Sequence, residues 1–467
     1  MPTRDPTVFP GLSLISRRNS LRQMLQICGA SVAALCDPVP LLSALSQSSH
    51  TSHVRTESHP SPFSRQDDAI LDQIQHANFL FFWEQGHPQT GLIKDRCNTR
   101  MKDSSIVASI ASTGFGLTAI CIAEKRGFIG HSDARLRVVQ TLSSLWHRLP
   151  THRGFYFHFA NIATGERIWD AEASSVDTAI LLCGVLMCKA HFHEADIREL
   201  AQAIYDRVDW SWLSEDTELL PMGWTPELGF LASKWDDYSE LMMIYLLGMG
   251  STTHPLRSEA WSAWKRTLFE YDGIRYIGSY APLFVHQYSQ AWFDFRDEKD
   301  RFADYFQNSI LATEAHRRFC VDMNTRFPDY TNALWGITAS DTVDGYAAWG
   351  GPPATGPIDG TIVPCAAAGS LPFLPSETMR VLHTIHEHYP QTWSRYGFVD
   401  AFNPLTGWVD TDVVGIDTGI TMLMAENARS GFVWSTFMRN AEAQRGMQMA
   451  GFQKYTHAPY PLDGLTG

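Results

Sequence analysis

The chain has 467 residues, 44% hydrophobic and 12% aromatic, enough to bury a large core in one domain or in two or three. Its formal net charge is −13, and residues 1–46 hold four arginines against two aspartates, so the remainder stands at −15. That balance argues against a general nucleic-acid or anionic-membrane surface and suits a protein acting on a neutral substrate.

In chain order, Ser16-Arg17-Arg18-Asn19-Ser20-Leu21 precedes an apolar run from Met24 to Leu35 that is too short to span a bilayer. This looks like a twin-arginine export signal, with small residues at Ala44-Leu45-Ser46 for cleavage. A disordered amphipathic N-terminus is the alternative. The reading is therefore a signal over 1–46, a Ser/His/Pro-rich linker over 47–65, one domain over 66–455 and a tail over 456–467, in a periplasmic or secreted protein. Eight cysteines show no CxxC or other metal spacing, and their pairing stays open.

From Asp67 the pattern is helical: Ile70, Ile74, Ala77 and Phe81 recur at three- and four-residue steps, with Asp67 or Asp68 as cap. Ser104 and Ser105 open a second helix reaching Gly127. Further helices are expected near 132–148, 172–190, 195–208, 236–249, 255–269, 297–318, 376–388, 417–429 and 430–449. Thr178 to Met187 and Leu241 to Leu247 are apolar nearly all round, the mark of helices covered on every side. Long Gly-, Pro- and Trp-rich loops fill 149–171, 209–235, 319–375 and 390–416, lengths that usually carry function. About twelve helices with long loops at alternate junctions predict an all-α fold, an (α/α)6 toroid whose loops build a site at one end. No fixed-period repeat is present.

The stretch Tyr280–Arg296, YAPLFVHQYSQAWFDFR, sets Tyr288 and Trp292 among His286, Gln287, Asp294 and Arg296. Rings beside hydrogen-bonding tips suit a sugar, whose C–H faces stack while its hydroxyls seek partners. The bland reading is a buried helix with satisfied polar residues. Glycoside hydrolysis needs two carboxyl groups with opposite protonation, and the loops offer candidates. Glu240 follows Trp235-Asp236-Asp237, and a helix would put Asp236 and Glu240 on one face, where like charges raise one pKa and suit an acid. The alternative is a carboxylate held by the helix dipole alone. Asp417, between Gly415 and Gly419, reads as a helix cap that stays ionised and suits a base; Asp400 competes for that role. Glu172, with Asp170, Asp177 and the orienting Ser174 and Ser175, either binds sugar or acts as a nucleophile, or is a capping cluster. Asp237, Trp235, Trp335, Trp408, Asp359 and Glu426 are weaker subsite candidates, as are Trp224 and the Asp95-Arg96 pair; Asp294 and Arg296 also read as an ion pair. HExxH, G-x-S-x-G, Walker and GxGxxG motifs are absent. His191, His193 and the cluster His383, His386, His388 read as solvated faces, so no metal or cofactor is expected in the chemistry.

The blocks FLFFWEQGHPQTGLIKDR, EASSVDTAILLCG, WDDYSELMMIYLLGMGSTTHP, PLFVHQYSQAWFDFR, WGITASD, DGTIVP, YGFVDAFNP and GIDTGITMLMAEN occur in this order. Together they resemble the bacterial glycoamylase-like glycoside hydrolases, which include endo-β-1,2-glucanases, over residues 67–450. The resemblance implies an (α/α)6 fold, hydrolysis of a β-glucan, foremost β-1,2-glucan, and inversion at the anomeric carbon, with an acidic catalytic residue in the Glu240 block. It tips Asp417 toward the base. The rival expectations are an exo-acting glucosidase or glucoamylase on other glucans, a retaining or transglycosylating relative, a polysaccharide lyase, and a toroid that binds glycans without cutting them. The expected partner is an oligo- or polysaccharide, and the mature chain is read as a monomer free of the membrane.

Overall fold

The computed structural model describes residues 63–455 apart from 215, 216, 355 and 357. The leader, most of the linker and the tail therefore lie outside the described residues. The helices that build the two layers, with the C-terminal one, are α1 (Arg65–Glu84), α2 (Ile110–Arg126), α3 (His131–His147), α4 (Ser175–His191), α5 (Ala195–Asp206), α6 (Met242–Gly250), α7 (Tyr305–Asp322), α8 (Pro364–Ala368), α9 (Pro375–His388), α10 (Gly415–Ser430) and α11 (Ala441–Met449).

Burial sorts them into two layers. In α6 and α8 every residue is buried, and in α2 and α4 every residue is up to the last turn. By contrast, α3 buries one stripe (Ala134, Val138, Leu142, Leu145), and so do α5 (Ile197, Ala201, Ile204) and α9 (Met379, Leu382, Ile385). An all-round apolar helix has to be covered on every side, whereas a striped one faces water. The first kind forms the inner ring and the second the outer layer. Pairing them in sequence gives six hairpins: α1/α2, α3/α4, α5/α6, the turn Ala260–Ala263 with the 3-10 turns Leu283–His286 and Ser289–Ala291, α7/α8, and α9/α10. The ring closes where α10 packs on α2. This is the expected (α/α)6 toroid.

The inner helices run parallel, because like ends meet. At their starts, Gly415 N donates to Asp95 O (2.8 Å), Ile110 N to His158 O (3.2 Å), and His158 N to Glu172 O (2.9 Å). At their ends, Arg126 of α2 pairs with Glu426 of α10 (2.7 Å), and His191 of α4 with Glu124 of α2 (2.7 Å). The N-termini of α2, α4 and α10 therefore open at one mouth, and Trp235, bound to Ser175, brings the chain before α6 to the same end.

Close helix approach needs small residues. A Cβ on Gly184 would stand 2.1 Å from the Gly114 carbonyl oxygen, and backbone cannot swing aside. Gly184→Ala is expected to cost about 1–3 kcal/mol, read as a lower Tm in thermal denaturation; an unchanged Tm would show that α2 and α4 can part freely.

Several boundaries differ from those expected. The cap of α1 is Ser64, with Asp67 as its capping-box partner. Residues 104–109 are extended, because Val107–Ser109 pairs with Phe159–Asn161, and α2 begins only at Ile110. The 236–249 helix begins at Met242, preceded by bends pinned by Thr267 to Asp237 and by Ser289 to Glu240 O. The 255–269 helix shrinks to one turn and gives way to the hairpin Thr267–Tyr271/Ile274–Gly278, whose Asp272-Gly273 turn takes positive φ at both residues. The six cysteines among the described residues are buried free thiols.

Candidate active site

Carboxyl groups gather at the mouth. Asp417 sits in the first turn of α10, and Asp400 on the chain leading into Phe402–Asn403. Both are buried and line one small cavity with Cys365 and Val414, close enough for each to shift the other's proton affinity. Asp400 Oδ2 also accepts from the backbone N of Asp341 at 2.6 Å. Burial first, then the Asp417 charge, pushes Asp400 well above the usual carboxylate range. Burial pushes Asp417 up to about 6, even though the nearby Asp400 and Cys365 groups pull it down. The direction is clear: Asp400 holds the proton and Asp417 is the partner that ionises.

The expectation for Asp417 is thus corrected in its cause. The N-cap of α10 is Val414, which offers no side-chain cap, and backbone donors do not hold Asp417 ionised. The flanking glycines serve approach instead. A Cβ on Gly415 would meet Ser112 Oγ at 2.3 Å, and one on Gly419 would meet the Phe115 ring at 2.4 Å.

A guanidinium stands among these acids. Arg96 Nη1 donates to Asp341 Oδ2 at 2.6 Å and its Nε to Asp95 Oδ2 at 3.2 Å, with Asp412 at 4.0 Å. Asp410 completes the group: an oxygen of each of Asp341, Asp400 and Asp410 lies within 4.8 Å of the others. Burial and the Asp341 charge push Asp410 up to about 7. A carboxyl whose pKa is raised by folding from near 3.8 loses nothing below that value and destabilises the fold as pH rises through 7. Asp410→Asn is therefore expected to raise Tm at pH 8 and to leave it nearly unchanged at pH 4; no gain at pH 8 would contradict a strained charge there.

A second group lies at the start of α4. His158 Nδ1 is 3.3 Å from Glu172 Oε1 and 3.6 Å from Asp177 Oδ2. Ser174 caps α4, accepting from Asp177 N and donating to Asp177 Oδ2 at 2.6 Å. So Ser174 orients Asp177, while His158 faces Glu172. Ser175 serves the scaffold, donating to Met222 O and accepting from Trp235. A cleft lined by Asp95, Arg96, His158, Asp177 and Tyr346 runs from this second group to Arg96, while Asp400 and Asp417 line a separate small cavity.

Glu240 is buried immediately before α6. In ring order α6 and α10 stand three steps apart, on opposite sides of the mouth. Since Glu240 precedes the helix, it does not share a helical face with Asp236, which is exposed and pairs with Lys265 at 3.3 Å. Asp237 is half-buried, hydrogen-bonded to Thr267.

The aromatic stretch follows the bland reading over most of its length. Gln287 braces α8 through Ala366 O (2.9 Å) and Ser370 Oγ (2.8 Å). Trp292 donates across the ring to Thr118 at 2.9 Å, and Tyr288 packs edge-on to Phe115. Asp294 and Arg296 form a bidentate ion pair, with Arg296 over the Trp434 ring. His286 is buried against Tyr238, and burial with His316 nearby drives its pKa to about 3, so it stays neutral. The polar tips of Gln287, Trp292, Asp294 and Arg296 are thus spent on the scaffold, whereas His286 Nδ1 is buried without a hydrogen-bond partner. Trp235 and Trp335 are core residues rather than platforms. Glu426 belongs to the far end, bound to Arg126. Asp170 and Asp359 are exposed on loops, the latter accepting from Thr361 N at 2.9 Å. Trp408 is half-buried, and Trp224 stacks on His152 at 3.5 Å. His383 contacts Asp67 at 2.8 Å rather than standing free in solvent.

Sequence reasoning missed His158, Asp341, Asp410 and Asp412. The block WGITASD carries Asp341, and GWVDTD carries Asp410 and Asp412, so a signal existed in acids crowded beside Gly and Trp.

A toroid of paired helices with buried acids around one mouth defines a class of (α/α)6 proteins. The glycoamylase family model, described as "Putative glucoamylase", matches residues 232–441. The exo β-1,2-glucooligosaccharide sophorohydrolase (non-reducing end) of Parabacteroides distasonis is 27% identical over 445 residues, 87% of this chain and 60% of that protein. The chain thus spans about three fifths of that curated relative. A Bacteroides uniformis structure described in the same words as the family model superposes with a TM-score of 0.78 at 29% identity, covering 83% of this chain and 98% of that one. The endo-β-1,2-glucanase of Chitinophaga pinensis, solved with sophorotriose and glucose, gives 0.78 at 25% identity, covering 83% and 99%. The chain is thus similar to the glycoamylase-like proteins, by the family model over 232–441 and by fold over most of its described length.

Proposed function

We propose that the protein is a glycoside hydrolase that cleaves β-1,2-linked glucan at the mouth of the inner ring. The observation that carries this reading is the buried Asp400–Asp417 pair lining one cavity at the start of α10, with Glu240 across the mouth. Hydrolysis needs one carboxyl to protonate the leaving oxygen and one carboxylate to take a proton from water. Asp400 is kept neutral; Asp417, ionised above about pH 6, is the base. Glu240 is the acid. The names of the sophorohydrolase and the endo-β-1,2-glucanase supply the linkage. The crowd of buried carboxyls supports a neutral sugar over a uronate, and so a hydrolase over a lyase.

The test is product release from linear β-1,2-glucan. New reducing ends are expected. Disaccharide alone indicates exo action, and a ladder of sizes endo action. Binding without product would favour the glycan-binding toroid. Inversion, read by NMR of the first-formed anomer, belongs to the same reading. So does export as a monomer: the N-terminal sequence of protein from a periplasmic fraction is expected to begin near residue 47.

A further inference from the structure

We propose that Arg96 is a positioning residue for the Asp400–Asp417 pair, acting through Asp341 rather than on the sugar. The inference rests on the hydrolase reading above and adds a residue that this reading does not use.

The geometry is a short chain of contacts. Arg96 opens the strand Arg96–Asn98, paired antiparallel to Asp412–Val414 directly before α10. Gly415 N binds Asp95 O at 2.8 Å, so the strand bearing Arg96 and the helix bearing Asp417 are fixed together. From that strand the guanidinium grips Asp341 at 2.6 Å. The backbone N–H of the same Asp341 holds Asp400 Oδ2 at 2.6 Å. Arg96 thus anchors a backbone donor on Asp400 to the strand that carries α10. A lysine has the charge but not the planar fork that engages Asp341 and Asp95 together.

The charge also matters. Facing the pair are Asp95 and Arg96 from the first strand, Asp341 from the hairpin Ser340–Ala347, Asp410 and Asp412 from the strands before α10, and Cys365 from α8. Arg96 is the cation among these groups. The Asp341 carboxylate raises the proton affinity of Asp400, Asp410, Asp412 and Asp417, whereas Arg96 lowers that of Asp412 and Asp417. Removing the cation leaves Asp341 uncompensated beside the pair. Removing Asp341's charge does the reverse.

The experiment compares wild type with Arg96→Met, Arg96→Lys, Asp341→Asn and Arg96→Met/Asp341→Asn in the pH dependence of kcat and KM on β-1,2-gluco-oligosaccharides. In Arg96→Met the acid limb should move up by about one pH unit or more, with KM held. In Asp341→Asn it should move down, and the double variant should return toward wild type. Arg96→Lys should keep the limb near wild type while lowering kcat. Carboxyl NMR titration of the pair reads the same displacements without substrate, so a failure of glucan turnover and a failure of this inference are distinguishable. If Arg96→Met does not fold, the downward shift in Asp341→Asn decides. Limbs that stay with wild type in both single variants, or a raised KM in Arg96→Met with the limb unmoved, would overturn the proposal, the latter making Arg96 a sugar contact.

Discussion

Asp417→Asn is expected to lower kcat on β-1,2-glucan by about 10²–10⁴-fold, some 3–5 kcal/mol of transition-state stabilisation, with little change in KM. The amide keeps the size of the side chain, but it cannot take a proton from water. The same change should stabilise the fold at pH 8. Burial raises Asp417 to about 6, above its unfolded value, so its stability contribution is intact below the unfolded pKa and is lost as pH rises through 6. Activity and stability therefore move in opposite directions. A variant that loses activity because it unfolds, with Tm falling at pH 8, would remove Asp417 from the mechanism and return it to the scaffold. In the wild type, turnover should rise with pH through about 6, as Asp417 ionises.

Glu240→Gln is expected to cost a similar factor on glucan, with one difference. A general acid helps most when the leaving oxygen is a poor leaving group. An aryl sophoroside with an acidic phenol needs little help, so Glu240→Gln should retain a far larger share of wild-type turnover on it than on glucan. Asp417→Asn should be equally impaired on both. Equal losses on aryl and glucan substrates would take the acid's role from Glu240, and Glu172, facing His158 at 3.3 Å, would be the next carboxyl to test.

Much of the ring was legible in the sequence, because an inner helix must be apolar all round and an outer one striped. Thr178 to Met187 and Leu241 to Leu247 show the first pattern plainly. The fourth inner element was not legible as such. Its 3-10 turns carry Gln287, Gln290 and Trp292, whose polar atoms bind Ala366 O, Tyr305 O and Thr118 Oγ1. From the sequence, a polar tip that braces a ring looks the same as one that meets a sugar. The start of α6 was misplaced for a similar reason: Asp237 and Glu240 fit a helical period, but Thr267 and Ser289, distant in sequence, pin bends there.

The site was legible in its acids and not in their protonation. Asp400 and Asp417 were rivals for one role in the sequence, yet in space they are partners, lining one buried cavity that no local pattern encodes. His158 and Asp341 escaped notice because each matters through a residue that only the fold brings to it, Glu172 across a loop for the first and Arg96, 245 residues away, for the second.

The most direct test is a crystal structure of Glu240→Gln with a β-1,2-gluco-oligosaccharide bound. The glycosidic oxygen of one bond should lie within hydrogen-bond distance of the amide introduced in place of the Glu240 carboxyl. Asp417 should stand on the opposite face of that sugar, reaching its anomeric carbon through a water or a sugar hydroxyl. A sugar seated elsewhere, or one leaving Asp417 sealed from it by Pro364 and Val414, would contradict the assignment.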